Sequence, residues 1–464
     1  MFVTKISNCS AMYPSIMRTF SSCSSRRTAA LQIFNDALKR ADPYSSVYNF
    51  LKSDECVING KHASDYQKVI VVGGGKGAIP MVEAASTFFN SKVVDGQVVT
   101  KYKYSKGATF KNINIIEAAH PVPDKNSVLG SKKIIETVSK GDKNTLVVSL
   151  ISGGGSALLC LPASPLSLED LQKTTKLLLG SGADIVEMNC VRKHLSSIKG
   201  GQLARAAYPS PLLSLVLSDV MGDDLSSIAS GPTYPDKFTY QDCLNIMKKY
   251  DIWEKVPKSV QDRITNGVKG SIPETPKPSD PCFQHNLVKI VGNNDQSLDA
   301  AKARAIALGY TPLVLYSGLE GEANIMSDKL VDLAKKIARG EHEMKAPCAI
   351  IAGGETVVKL DGKQGMGGRN QEFALKAALE LQTCKNITVL CSATDGSDGP
   401  TDASGGVVDE HTIEEGTKKG FNAMEYYKNK DSYNYFKHLK ENHIVTGPTG
   451  TNVMDVAVII IDKE

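Results

Sequence analysis

The stretch 144–159, NTLVVSLISGGGSALL, constrains the fold more than any other part of the chain. A largely apolar run, 146–151, with Ser149 its one polar residue, leads into Gly153, Gly154 and Gly155, bracketed by Ser152 and Ser156. A run of this kind with β-branched residues is what a strand covered on both faces of a parallel sheet requires. The glycines then give a tight turn with bare N–H groups, and such a turn suits an anion. Glycine triplets also occur in turns that bind nothing. The arrangement gains weight because it recurs.

A first copy comes earlier. The apolar run 68–72 enters Gly73, Gly74, Gly75, Lys76, Gly77 and Ala78, and a helix starts near Pro80. Read as G-x-G-x-x-A with Asp95 at the spacing of a ribose contact, this is a partial dinucleotide fingerprint. Lys76 puts a cation where anionic oxygens would lie. A strand over 113–119 is followed by the proline-stiffened loop His120-Pro121-Val122-Pro123-Asp124 and a helix over 127–139. Ser167 caps another helix that stops at Gly180. The mostly helical 184–207 carries Asn189, Arg192, Lys193, His194 and Lys199, a basic face whose plainest reading is solvation. The strand 212–217 ends in Ser218 and Asp219, and an acid at a strand's carboxyl end is where α/β sheets place ligand groups, although a helix cap reads the same way.

The proline-rich segment 271–281 reads as a linker, and the domain boundary is expected there, near 275. A second series of strands follows: 287–291, 311–316, 348–352 running into Gly353, Gly354, Glu355 and Thr356, 387–393, and finally 456–461. The segment 363–370, KQGMGGRN, reads as a flexible glycine loop ending near Arg369. The loop 394–406 holds Asp395, Asp398 and Asp402 among glycines, a polar segment able to take a cation.

This alternation predicts an α/β protein of two domains, each a mainly parallel or mixed sheet flanked by helices, the larger one Rossmann-like. Repeated loaded strand ends point to an active site in the cleft between the two. Bare N–H turns, a lysine and an arginine in glycine loops, and carboxylates for a divalent cation are the inventory of phosphoryl transfer. Neither a P-loop nor the protein-kinase H-R-D and D-F-G set is present.

Composition excludes several classes. At 464 residues, 41% hydrophobic and net charge +4, the chain lacks the basic footprint of a nucleic-acid binder. No apolar run approaches the roughly 20 residues of a membrane span. The ten cysteines are scattered without a C-x-x-C pair, so they read as reduced core residues, and a structural zinc site is not supported. Residues 1–28 contain no acid and are rich in serine, with Lys5, Arg18, Arg26 and Arg27; that is a transit-peptide composition and suggests a mitochondrial address, with the cytoplasm as the alternative. A helix begins at about Ala29.

Eight segments, VVGGGKGA, EAAHPVPD, LISGGGSALL, LSDVMGDDLSSIASGPT, GGETVVKL, GMGGRNQE, ATDGSDGPTDASGG and TGPTGTNVMD, together resemble glycerate kinases of the type-2, MOFRL-containing family. The resemblance runs from about residue 29 to the end and implies domains over 29–275 and 276–464, the latter with the MOFRL region at about 345–460. It implies ATP as donor, D-glycerate as acceptor and 2-phosphoglycerate rather than 3-phosphoglycerate as product. Lys76 and Arg369 match the family's proposed catalytic lysine and arginine. The roles that follow are Asp219 as base, Gly74, Gly75, Gly153, Gly154, Gly155, Ser156, Gly353, Gly354 and Glu355 for nucleotide phosphates, Asn189 and Lys193 for substrate, and Asp395 and Asp398 for Mg²⁺. A homodimer fits, whereas nucleic acid and membrane do not. Two other readings remain: a nicotinamide-dependent dehydrogenase resting on Gly73, Gly75, Ala78 and Asp95, and a non-catalytic sensor of a phosphorylated metabolite.

Overall fold

The apolar run of the opening stretch becomes the strand Thr145–Ile151, every residue of it buried. A computed structural model describes residues 25–362 and 365–463. It divides into two units, one formed by Pro43–Gly292, the other by Asn293–Glu464 together with the chain up to Asp42.

The Pro43–Gly292 unit holds six strands: β1 (Lys68–Gly74), β2 (Val93–Lys101), β3 (Asn114–Ala118), β4 (Thr145–Ile151), β5 (Leu212–Leu217) and β6 (Asn286–Gly292). Their order across the sheet is β3-β2-β1-β4-β5-β6, and every pairing is parallel. This is the doubly wound order of dinucleotide-binding folds, with its reversal between β1 and β4. Helix Lys125–Val138 starts at a capping box of Asp124 and Ser127, and packs Ile134 and Val138 into a core with Val72, Val99 and Val147. The expected cap at Ser167 is present, reciprocated by Asp170, on helix Leu168–Ser181. That helix joins Ile185–His194, Tyr240–Lys249 and Lys258–Val268 around Leu178, Met188, Met247 and Ile264.

The other unit holds β7 (Thr311–Glu322), β8 (Cys348–Val357), β9 (Ile387–Ala393), β10 (Gly405–Asp409), β11 (His443–Ile444) and β12 (Asp455–Ile461), in the order β11-β10-β9-β12-β8-β7. β7 and β8 are parallel; β12 runs antiparallel to both β8 and β9. Alternate residues of β12 serve opposite faces, as strand geometry dictates. Val456, Val458 and Ile460 meet Leu31, Phe34 and Leu38 of helix Ser25–Arg40 and Leu298 of helix Asn294–Ala307. Ala457, Ile459 and Ile461 meet Val331 and Phe373 of helices Ala323–Ala338 and Arg369–Leu381.

Two expected boundaries are corrected. The segment 271–281 is not a linker: Pro276 O accepts from Asp236 N at 2.9 Å, and Arg205 donates to Glu274 O at 3.1 Å. The chain then supplies β6 as an edge strand of the first sheet, so the division falls after Gly292 rather than near 275. Nor does folded structure wait until Ala29. Arg26 and Arg27 lie on a helix whose apolar face covers the second sheet, and Arg27 is buried with a bidentate contact to Asp409 at 2.6 and 2.8 Å. Residues 1–24, where an address is expected, lie outside those described. Among the described residues no helix is long and apolar enough to cross a membrane.

Candidate active site

The turns after β1 and β4 lie side by side at the point where the strand order reverses. Gly75 has φ +139°, and a Cβ there would stand 2.1 Å from Ser152 Oγ, so only glycine fits. The N–H groups of this first turn are not bare, contrary to expectation. Gly75 donates to Val99 O at 3.1 Å, Lys76 to Gly153 O at 2.8 Å and Gly77 to Ser152 Oγ at 2.9 Å. Gly74 is the last residue of β1, and its carbonyl accepts from Ser152 N at 3.1 Å. Gly74 therefore fastens the neighbouring turn and Gly75 the adjacent strand β2, instead of offering donors to an anion.

The second turn has the bare donors. Gly155 N is taken by Ser152 O at 3.2 Å, whereas the N–H groups of Gly153 and Gly154 have no protein partner among the described residues. Gly154 has φ +83°, and a Cβ on it would lie 3.1 Å from His120 Cδ2 and 3.4 Å from Lys76 Cγ. The lysine stem and the imidazole thus flank the two free donors. Bare N–H groups beside a cation form an anion site. His120 escaped the sequence reading because it looked like the start of a proline-stiffened loop. Its position directly after β3, at the same carboxyl edge, was the available signal.

Behind the turn, Ser156 Oγ is 3.4 Å from Ser230 Oγ, and Ser230 donates to Asn189 Oδ1 at 3.1 Å. Asn189 is therefore linked to the glycine turn, while Lys193 is not. The Lys193 ammonium is 2% exposed and 3.3 Å from Asp236, itself fully buried, so this residue expected to bind substrate is an interior ion pair. Lys199 donates to Ser156 O at 2.7 Å. Burial pushes its ammonium down to about 8, with Arg192 adding in the same direction and Cys160 opposing. Its folded value thus lies below the unfolded one. Below about pH 8 both states are protonated and the cost of burying the charge is fully present; above it the unfolded chain holds more protons, and stability rises with pH until the unfolded lysine titrates. Urea unfolding at pH 7 and pH 9.5 should accordingly show a stability gap between Lys199→Met and the parent that shifts towards the parent at the higher pH. A gap independent of pH contradicts the assignment.

Asp219 follows β5 by two residues, at the same edge as the two turns. Asp95 does not reach that edge. It is the third residue of β2, paired with Ile70 near the amino end and bound to Lys140 at 2.7 Å, where it cannot touch a ribose held at the carboxyl end.

In the second unit Arg369 is the first residue of a helix, not part of a flexible loop. Its guanidinium contacts Asp455 with Nε at 2.5 Å and Nη2 at 3.0 Å, and Glu355 with Nη1 at 2.6 Å. Burial works against this charge, but Asp455 and then Glu355 outweigh it and hold the guanidinium firmly protonated. Asp455, fully buried at the start of β12, escaped the sequence reading because it looked like the polar end of a loop.

Asp398 is corrected as a metal ligand. Its Oδ1 accepts from Asn370 N at 3.1 Å and Asn370 Nδ2 at 3.2 Å, and its Oδ2 from Gln371 N at 2.9 Å and Nε2 at 3.0 Å. Both oxygens are occupied in holding the first turn of Arg369's helix. Asp395 is half-buried, accepts from Ser397 N at 2.9 Å, and lies near enough to Asp455 to help push that carboxyl upward, after burial itself. Gly353 and Gly354 are corrected too. They belong to β8, opposite Val456 and Asp455, in a strand that continues to Val357. Gly354 has φ +134°, and a Cβ there would lie 2.5 Å from Leu319 O; the pair serves a bulge, not a phosphate turn.

A family model described as a domain of unknown function, DUF4147, matches residues 29–265, and the MOFRL family model matches 348–455. A glycerate 2-kinase of Pyrococcus horikoshii is 41% identical over 440 residues, 94% of this chain and 98% of that protein. The crystal structure of a Thermotoga maritima glycerate kinase superposes with TM-score 0.84 at 38% identity, covering 94% of this chain and 99% of the other. The chain belongs to the MOFRL-containing glycerate kinase family. A relative from Agrobacterium vitis, 38% identical over 94% of this chain and 95% of its own length, is named a putative hydroxypyruvate reductase. Glycerate kinases of this family are enzymes, and the two units described here correspond to a fold shared along nearly the whole chain.

Proposed function

We propose that the chain transfers the terminal phosphoryl group of ATP to a hydroxyl of D-glycerate, with 2-phosphoglycerate as product. One observation carries this: two unpartnered N–H groups, Gly153 and Gly154, flanked by the Lys76 side chain. Phosphoryl transfer asks a protein mainly to position and neutralise oxygens, and this turn has the donors to do it. Membership of the glycerate kinase family supports the substrate, and the P. horikoshii relative's name supports O2 as the acceptor.

The residues divide the work as follows. Gly153 and Gly154 donate to phosphate oxygens, and Lys76 neutralises the group in transit. Arg369, steered by Asp455 and Glu355, supplies a cation to phosphate oxygens. Asp219 accepts the glycerate hydroxyl proton. Asn189 acts through Ser230 to set Ser156. Asp395 would fit as an Mg²⁺ ligand, since a hard cation takes oxygen ligands and commonly one or two carboxylates with phosphate oxygens. The ion would neutralise phosphate charge and orient the leaving group.

A reductase reading has the A. vitis relative's name behind it, yet Asp95, the acid it needs, stands at the wrong end of β2. The deciding measurement is ADP release coupled to D-glycerate with MgATP, followed by treatment of the product with enolase, which consumes 2-phosphoglycerate. ADP formation that requires glycerate and an enolase-competent product are expected. Hydroxypyruvate-dependent NADH oxidation without ADP release would replace this proposal with the reductase.

A further inference from the structure

Away from the glycine turns, helices Ile185–His194 and Tyr240–Lys249 meet through two thiols. Cys190 Sγ and Cys243 Sγ are 3.6 Å apart, and both residues are fully buried. His194 follows Cys190 by four residues, on the same helix face, and also has no exposed surface. Ligand atoms of these three side chains all lie within 4.8 Å of one another, and no other His, Cys, Asp or Glu trio among the described residues does so.

The separations suit a metal ion. Two thiolates bound tetrahedrally at about 2.3 Å stand about 3.8 Å apart, close to what the sulfurs already show. His194 Nε2 faces Glu274 Oε2 at 3.2 Å, and a metal-binding imidazole characteristically gives its other nitrogen to a carboxylate. Nδ1 is then the ligand atom. It lies 2.8 Å from Cys190 O and 3.7 Å from Asp236 Oδ2. Asp236 Oδ2 also accepts from Thr275 at 3.1 Å, and Oδ1 faces Lys193. Two thiolates with the Asp236 and Glu274 carboxylates against a divalent ion and the Lys193 and Lys277 ammoniums leave no net charge, so the buried Lys193–Asp236 pair has a place in the same arrangement. Complete burial suits a closed structural site, whereas a redox-active thiol needs exposure.

We propose that Cys190, Cys243 and His194 form a buried three-ligand site for a zinc-class divalent cation, beside the Asp236 carboxylate. Loading it releases the two thiol protons, and any proton on Nδ1, to solvent, and the ion replaces the contact from Nδ1 to Cys190 O. The bound ion would tie the helix that carries Asn189 to its neighbour. The site is separate from the phosphoryl-transfer groups and does not depend on them.

The experiment strips the full chain with chelator under reducing conditions and titrates it with Co²⁺, followed by Zn²⁺ in competition. One equivalent of Co²⁺ should give a sulfur-to-cobalt charge-transfer band in the near ultraviolet, lost in Cys190→Ser and in Cys243→Ser and displaced by Zn²⁺. Cobalt at the oxygen ligands of an MgATP site gives no such band. Glu274→Gln should weaken binding about 10-fold or more. Zn²⁺ should raise the unfolding temperature of the parent but not of Cys243→Ser. A reduced parent without the band overturns the proposal, as does a band undiminished in both serine variants. If the serine variants do not fold, the parent decides: a band together with a zinc-dependent rise in unfolding temperature supports the site, and the lack of either refutes it. A parent that forms a Cys190–Cys243 disulfide under hydroperoxide, but binds no cobalt when reduced, also refutes it.

Discussion

Arg369→Ala is expected to lower kcat about 1,000-fold or more, and Lys76→Ala about 100-fold or more. The two variants should differ in what else they lose. Lys76 packs its stem against the Gly154 turn, and its removal leaves β1 and β4 paired as before. Arg369 satisfies Asp455, which is 1% exposed, so its removal leaves a buried carboxylate unpaired and also lowers stability. Kinetics measured well below the unfolding temperature of each variant separate the two effects. Arg369→Lys should recover little, because one ammonium cannot meet Asp455 with two parallel N–H groups and Glu355 with a third. Steady-state turnover within a few-fold of the parent in either alanine variant would remove that residue from the mechanism.

Arg27→Ala should destabilise the unit that contains it by about 3–5 kcal/mol, the penalty for stripping a partner from a buried ion pair. The pair is closed on both sides: Arg27 and Asp409 are 4% and 2% exposed, and Thr412 adds a further contact to the aspartate. Burial alone would raise the Asp409 carboxyl, but Arg27 overcomes it and holds the group below the usual carboxylate range. Its contribution is therefore present above the unfolded value and fades as pH falls through the lowered folded one. Denaturant unfolding at neutral pH measures the loss. Replacing Arg27 and Asp409 together by apolar residues should restore much of it, and a loss below 1 kcal/mol for Arg27→Ala would contradict the pair's importance. A chain beginning at Ala29, which lacks Arg27, should share the deficit.

Where one strand's own residues decided its burial, the sequence could be read directly. The runs at 68–72, 146–151 and 212–217 became neighbouring parallel strands, and their loaded ends fell on one edge. What stayed hidden depended on partners far along the chain. Arg27 reads as part of a basic leader until Asp409, 382 residues later, is placed beside it. Asp398 reads as a metal ligand until the N–H groups of Asn370 and Gln371 claim its oxygens. Gly353 and Gly354 look like Gly153 and Gly154 in sequence, yet one pair bulges within a strand and the other follows one. Local spacing does not distinguish those cases, because the difference is whether β12 arrives alongside. The proline-rich stretch misled for a related reason: its backbone is held by Asp236 and Arg205, and it feeds an edge strand rather than a hinge.

The order in which the chain is made meets an awkward timetable in the unit that is split in sequence around Pro43–Gly292. Helix Ser25–Arg40 is synthesised before the Pro43–Gly292 unit, but the strand it covers, Asp455–Ile461, comes only after it. In between, Pro43–Gly292 can complete its own sheet while the early helix still has nothing to lean on. Until that strand is made, Leu31, Phe34 and Leu38 lack it as a cover, and such apolar surface is the kind that chaperones and aggregation both act on. A ribosome stalled before that strand is made would thus hold one finished half and one half lacking its central strand.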